Sequence, residues 1–141
     1  MDLSEALPLL TENHTAVVST VTPSGVPQNT IVTTGFVDGK LVWVSRGRTV
    51  KIKNIERTGR ATATVIRLDN RRYVTVEGPA AVRTWQNTEA SVLVRLLWSA
   101  YEAMERPPQT SREEFAKTME EEQRMVVEIT PQRLYGSLTV R

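Results

Sequence analysis

Thr15-Ala-Val-Val-Ser-Thr-Val-Thr22, then Pro23-Ser24-Gly25, then Val26-Pro27-Gln28-Asn29-Thr30-Ile31-Val32-Thr33-Thr34, is the stretch on which the fold reading turns. β-Branched residues crowd both flanks of a Pro-Ser-Gly turn signature, which predicts a strand, a tight turn and a second strand. Moving outward, Phe36-Val37-Asp38-Gly39-Lys40-Leu41-Val42-Trp43-Val44-Ser45 repeats the pattern, and Asp-Gly between β-rich runs is a strong hairpin signal. Residues 61–66 and 72–84 predict a further hairpin around Asp69-Asn70, with Gly78-Pro79 marking a bulge or bend in its longer strand. Two short strands, 125–130 and 134–140, separated by Pro131-Gln132, complete the β pattern.

The helical signals lie outside and between these strands. Leu3, Leu7 and Leu10 predict a short helix over 4–13, with Ser4 as N-cap and Pro8 in its first turn. Apolar residues at 50, 52 and 55 predict a second short helix that Gly59 ends. Val92, Leu93, Leu96, Leu97, Ala100 and Met104 follow the spacing of an amphipathic helix between Asn87 and Met104, stopped by Pro107-Pro108. Ser111-Arg-Glu-Glu114 opens one more with a capping box. Helices that interrupt a sheet without alternating with its strands argue against a doubly wound nucleotide fold, and no GxGxxG or GxxxxGK[ST] run is present. The expectation is a mainly β protein, an antiparallel barrel with peripheral helices, forming a single domain over 1–141.

Composition narrows the chemistry. A chain of 141 residues, 40% apolar and 24% charged, is in the range of one domain. With no cysteine, disulfides, thiolate zinc sites, iron–sulfur clusters and cysteine nucleophiles are excluded, and the lone His14 excludes a multi-histidine metal centre within one chain. No metal site is expected. The opening Met1-Asp2-Leu3-Ser4-Glu5 lacks a secretory pattern, and no run nears the roughly 20 apolar residues that span a bilayer, so a cytoplasmic protein without membrane partners is expected. Net charge is only +2, but Arg46, Arg48, Lys51, Lys53, Arg57 and Arg60 face a single acid, Glu56, within 46–60, whereas Glu113, Glu114 and Glu120 to Glu122 make the later segment acidic.

Two stretches are candidates for ligand binding. Ser45-Arg-Gly-Arg-Thr-Val-Lys-Ile-Lys-Asn54 leaves a strand, passes a glycine and enters a helix whose first turn points Lys51 and free N–H groups at one spot, an arrangement suited to phosphate. The plainer reading is a basic surface loop. Pro27-Gln-Asn-Thr-Ile-Val32 offers alternating polar groups and backbone donors to the edge of a flat heterocycle, against the alternative of a threonine-rich strand facing solvent. Trp43 reads as core, Trp98 as a residue for a subunit contact, Trp85 as a candidate pocket residue, and His14 as a cap or surface residue. The acids are scattered and no GxSxG elbow is present, so a borrowed cofactor is the natural source of chemistry.

In order along the chain stand Thr20-Val-Thr-Pro-Ser-Gly-Val-Pro-Gln28, Asp38-Gly39-Lys40-Leu41, Lys51-x-x-Asn54-Ile55, Tyr73-Val-Thr-Val-Glu-Gly78-Pro-Ala-Ala-Val82 and Val127-Glu-Ile-Thr-Pro-Gln-Arg-Leu-Tyr-Gly136. This succession resembles the flavin and deazaflavin split β-barrel proteins related to pyridoxamine 5′-phosphate oxidase, most closely the coenzyme F-420 (deazaflavin)-dependent reductases. The resemblance implies an FMN-binding type of split barrel and a homodimer with the cofactor at the subunit interface. It places Gln28, Asn29, Thr30, Ile31 and Val32 along the deazaflavin and its ribityl chain, and Ser45, Arg46 and Gly47 at the next strand end. Val50, Lys51 and Asn54 would stand in the phosphate region. Arg46, Arg48 and Lys53 would add contacts to the phosphodiester and acidic tail of that coenzyme. FMN-using members commonly carry a closely spaced arginine and lysine at the phosphate site; here Thr49 stands two positions before Lys51 and Arg48 one step further out, which favours the deazaflavin.

The activity so implied is hydride transfer from the reduced coenzyme to a conjugated small-molecule acceptor, with no proton donor assigned. Arg67 and Arg72 are candidates to lie near a carboxylated substrate. The alternatives are an FMN-binding pyridoxamine-phosphate-oxidase-like flavoprotein and a non-catalytic cofactor- or anion-binding protein. Nucleic acid is not an expected partner, because the basic residues at 46–60 are not interleaved with aromatics.

Overall fold

The computed structural model describes residues 1–139. Its elements are α1 (Leu3–Glu12), β1 (Thr15–Val21), β2 (Pro27–Thr33), β3 (Gly35–Val37), β4 (Lys40–Arg46), α2 (Val50–Thr58), β5 (Arg60–Arg67), β6 (Arg72–Arg83), α3 (Ala90–Ala103), α4 (Arg112–Glu121), β7 (Arg124–Ile129) and β8 (Arg133–Ser137). The expected final strand reached to Val140, which lies outside the described residues. All strand pairs are antiparallel, in one sheet ordered β2-β1-β5-β6-β7-β4-β3, with β8 also paired to β6. The mainly β split barrel with peripheral helices is therefore the fold.

The local chemistry explains each corner. Asp38 and Gly39 both have positive φ, 49° and 79°, the two-residue hairpin geometry whose twist matches the flanking strands. Gly59 ends α2 in the left-handed region, and Ser111 Oγ accepts from the Glu114 N–H at 3.2 Å to open α4. At α1 the sequence expectation is corrected. The N-cap is Asp2, whose carboxylate accepts from the Glu5 N–H at 3.1 Å and from the Ser4 hydroxyl at 2.7 Å. A carboxylate outcompetes a hydroxyl here because it also meets the positive end of the helix dipole. Pro8 consequently falls in the second turn, on the exposed side of the helix.

β6 is the hinge of the split. Its register with β5 runs unbroken from Arg67↔Arg72 to Arg60↔Pro79, but on its other edge it pairs with β8 as far as Glu77↔Arg133 and with β7 from Ala80↔Ile129. Two residues, Gly78 and Pro79, thus face three, Thr130 to Gln132, so the extra residue sits on the opposite strand and not at Gly78-Pro79. A Cβ on Gly78 would stand 1.8 Å from the Thr130 carbonyl oxygen. Only glycine permits that approach.

Two apolar layers result. Inside the barrel, alternate residues of the strands, among them Val18, Leu41, Trp43, Val65, Val76 and Val127, pack with Leu10 of α1 and Ile52 and Ile55 of α2. Outside it, Val42 and Val126 on the reverse face of β4 and β7 are covered by Leu93, Leu97 and Ala100 of α3 and by Phe115 and Met119 of α4. Trp98 is partly buried, edge-on to Phe115 at 5.1 Å with the Arg112 guanidinium 4.1 Å above its ring.

Candidate functional site

A cleft of about 320 Å³ opens where the end of β4, the start of α2, the free edge of β2 and the end of α3 meet. β4 delivers buried Ser45 and then exposed Arg46. Gly47, at φ 76°, turns the chain, and Thr49 begins α2 without a side-chain cap bond. The first N–H groups of α2 are left beside Lys51, which also lines the cleft.

Lys51 is half-buried, and among the described residues neither it nor Arg46 nor Arg106 has a carboxylate within ion-pair distance. Burial holds the Lys51 ammonium below its ordinary value of 10.5. The opposite wall comes from distant sequence. Tyr101 and Met104 end α3, Arg106 follows, and Arg124 opens β7 with its Nε 3.0 Å from Glu122. Burial raises the Tyr101 phenol above its usual value of 10.0. Trp43 lines the floor, and its buried indole N–H has no acceptor among the described residues.

Of the sequence-predicted residues, Ile31, Val32, Ser45, Arg46 and Lys51 share the cleft, whereas Gln28, Asn29, Thr30, Gly47, Val50 and Asn54 do not line it. Gln28 accepts from Thr20 at 3.4 Å and Asn29 from Ser19 at 2.5 Å, so both amides are engaged by β1. Asn54 is buried, donating to Thr20 Oγ1 at 3.0 Å and accepting from Arg57 at 3.0 Å, a tie between α2 and the barrel. Arg48 is held by Glu56 at 2.6 Å, and Lys53 is exposed. Arg67 and Arg72 line a separate cavity against α1 with Glu5 and Glu12.

Trp85, read as a pocket residue, lies outside the cleft and donates its indole N–H to the Arg124 carbonyl at 2.9 Å, steadying the strand start that carries Arg124. His14 is partly buried with Nδ1 2.9 Å from the Thr34 carbonyl. Sequence reasoning missed Thr33, Tyr101, Met104, Arg106 and Arg124. Their one visible signal was the position of Tyr101 and Met104 at the end of the amphipathic helix stopped by Pro107-Pro108.

An antiparallel barrel split along a long shared strand, with a cation-lined cleft at its rim, defines the split-barrel class of cofactor-binding proteins. The chain belongs to the pyridoxamine 5′-phosphate oxidase family, whose model matches residues 3–137. The family includes oxidoreductases, and its fold binds flavins or deazaflavins in general, often in dimers. Solved structures share the fold. A conserved hypothetical protein of Mycobacterium tuberculosis superposes with a TM-score of 0.76 at 22% identity, over 96% of this chain and 84% of that one. An F-420 reductase superposes at 0.66 with 18% identity, over 91% and 94%, and general stress protein 26 of Bacillus anthracis at 0.66 with 20% identity, over 96% and 94%. No protein of curated function matches by sequence. Among the described residues no helix is long and apolar enough to cross a membrane, and no cluster of three potential metal ligands occurs.

Proposed function

We propose that this chain is a coenzyme F-420 (deazaflavin)-dependent oxidoreductase that reduces a conjugated small molecule, working as a homodimer whose second subunit closes the open side of the cleft. The observation that carries the reading is the pair Arg46 and Lys51, which enter the cleft without acidic partners beside a helix N-terminus that lacks a side-chain cap. Arg46 is exposed and Lys51 half-buried, and such unpaired cations and free N–H groups are stabilised together by a phosphate-type anion. Lys53, exposed on the same helix, extends the positive surface toward an acidic tail.

Among the described residues β2 pairs only with β1, so its other edge keeps free backbone donors and acceptors along Ile31 to Thr33, which would hydrogen-bond a flat heterocycle edge-on. The buried Trp43 N–H beneath the same cleft is a further unmatched donor. The donor set therefore fits an anionic, planar coenzyme. Ile31, 73% exposed on this edge strand, is the kind of apolar surface that a second subunit covers.

When bound, the deazaflavin supplies a hydride to the acceptor. The chain's own part is to bind and orient: Lys51 and Arg46 fix the anionic end, Val32 and Trp43 give an apolar floor, and the wall of α3 excludes water. Tyr101, a neutral phenol on the facing wall, is the O–H group we assign to the acceptor side.

A side-by-side fluorescence titration with the F-420 coenzyme and with FMN, at two salt concentrations, tests the reading. Saturable binding of the deazaflavin, weakened by salt, is the expected result. Preference for FMN would move the protein to the flavin-using branch, and failure to bind either would refute the coenzyme assignment.

A further inference from the structure

A second cavity, of about 230 Å³, opens between α3 and α4 and shares two residues, Tyr101 and Arg106, with the cleft. Its apolar wall is made by Pro108, Phe115 and Met119, and Thr118 stands at its exposed rim. Phe115 is braced edge-on by Trp98 at 5.1 Å and by Tyr101 at 5.9 Å, so this wall is preformed.

Arg106 at the junction is held in place by the end of α3. Glu105 adopts φ 59°, the Glu105 N–H donates to the Glu102 carbonyl at 3.0 Å and the Arg106 N–H to the Tyr101 carbonyl at 2.9 Å. That is a Schellman stop with glutamate where glycine is usual, a conformation a non-glycine residue adopts at some cost. The two backbone bonds hold Arg106 next to Tyr101. Its side chain has no carboxylate partner among the described residues.

We propose that the two cavities together form the acceptor subsite for an amphipathic organic anion. Its flat apolar body lies in the α3–α4 groove, and its carboxylate or sulfonate meets Arg106, with Tyr101 at the turn between them. An apolar groove that adjoins a polar cleft through the shared residues Tyr101 and Arg106, with that guanidinium free of a carboxylate among the described residues, matches a ligand of that shape and charge. The assignment of this subsite to the acceptor rests on the coenzyme occupying the Lys51 end of the cleft.

The test uses the full chain and two fluorescent probes of nearly the same shape, 8-anilinonaphthalene-1-sulfonate and neutral N-phenyl-1-naphthylamine. The variants are Arg106→Gln and Thr118→Trp, both at exposed positions, and the F-420 coenzyme is titrated into each protein in parallel. Thr118→Trp, which fills the groove, should weaken both probes by about tenfold or more, the scale of a buried aromatic body. Arg106→Gln should weaken only the sulfonate, by roughly tenfold, the scale of a lost charged hydrogen bond. Failure of the wild type to bind either probe, indifference of both probes to Thr118→Trp, or equal response of both to Arg106→Gln would overturn the inference. Coenzyme affinity separates the two claims. If probes respond as expected and the deazaflavin does not bind, the amphipathic-anion site stands and the coenzyme reading falls; if the deazaflavin binds equally to all three proteins and the probes do not respond, only the groove is refuted.

Discussion

The two walls of the cleft are built in opposite ways. The wall carrying Ser45, Arg46, Thr49 and Lys51 is a single run of sequence at the mouth of the barrel, anchored below by Trp43, Ile52 and Ile55 in the barrel core. The facing wall carries Tyr101, Met104, Arg106 and Arg124, drawn from the end of one helix and the start of a strand, and it rests on a separate apolar seam outside the sheet. The first wall suits an invariant task such as holding a cofactor's anion. The second can be re-shaped without disturbing the barrel, which is where a fold gains a different substrate.

Substitutions in the two layers should break this contrast in different ways. The largest effect belongs to the barrel hinge: Gly78→Ala places a methyl group 1.8 Å from the Thr130 carbonyl oxygen, and backbone on both sides leaves it nowhere to go. Urea unfolding should show a loss of at least about 3 kcal/mol, or no folded protein, with coenzyme binding lost in parallel.

Leu97→Ala attacks the outer seam, where the side chain is fully buried between α3 and the sheet. A loss of about 2–5 kcal/mol in unfolding free energy is expected, and coenzyme affinity per folded molecule should survive, since the Lys51 wall stands on the other core.

A smaller effect is the pH dependence of binding. Burial lowers the Lys51 pKa, so the midpoint at which its charge is lost lies below pH 10.5, and coenzyme affinity should fall severalfold as pH rises through the alkaline range. In the free protein the sign is reversed. The ionised lysine costs stability below its folded pKa, and that cost disappears as pH rises toward 10.5, so the ligand-free fold gains stability over the range in which coenzyme binding weakens. Thermal unfolding with and without coenzyme between pH 7 and 10 checks both directions.

The smallest effect sharpens the first wall. Arg48→Ala removes an exposed ion pair with Glu56, and both stability and coenzyme Kd should move by less than about 1 kcal/mol.

The contrast between the walls also explains what the sequence could disclose. Hairpins with Asp38-Gly39, the Gly59 helix stop and the β-branched strands are local devices, so an antiparallel barrel with peripheral helices is readable from them, whereas its split form is implied only by the family resemblance. Arg46 and Lys51 were readable because three residues of loop and one helical turn bring them together. Asn54 shows the limit of spacing: three residues after Lys51 on a short helix, it points to Thr20 in the barrel and not to the cleft. Arg106 and Arg124 were invisible because their proximity depends on how α3 lies across β4 and β7, a packing that no local pattern encodes. The displaced bulge opposite Gly78 has the same cause, since it belongs to the pairing of β6 with two later strands.

In the function proposed above, the β4–α2 corner holds the anionic end of a deazaflavin coenzyme. Calorimetric titration of the wild type and of Lys51→Ala with coenzyme F-420 tests it directly. We expect saturable binding to the wild type, a roughly ten- to hundredfold weaker Kd in the variant, as for one lost charged hydrogen bond, and an unfolding midpoint that does not fall, since the variant also removes a desolvated charge. Equal affinity of the two proteins would contradict it.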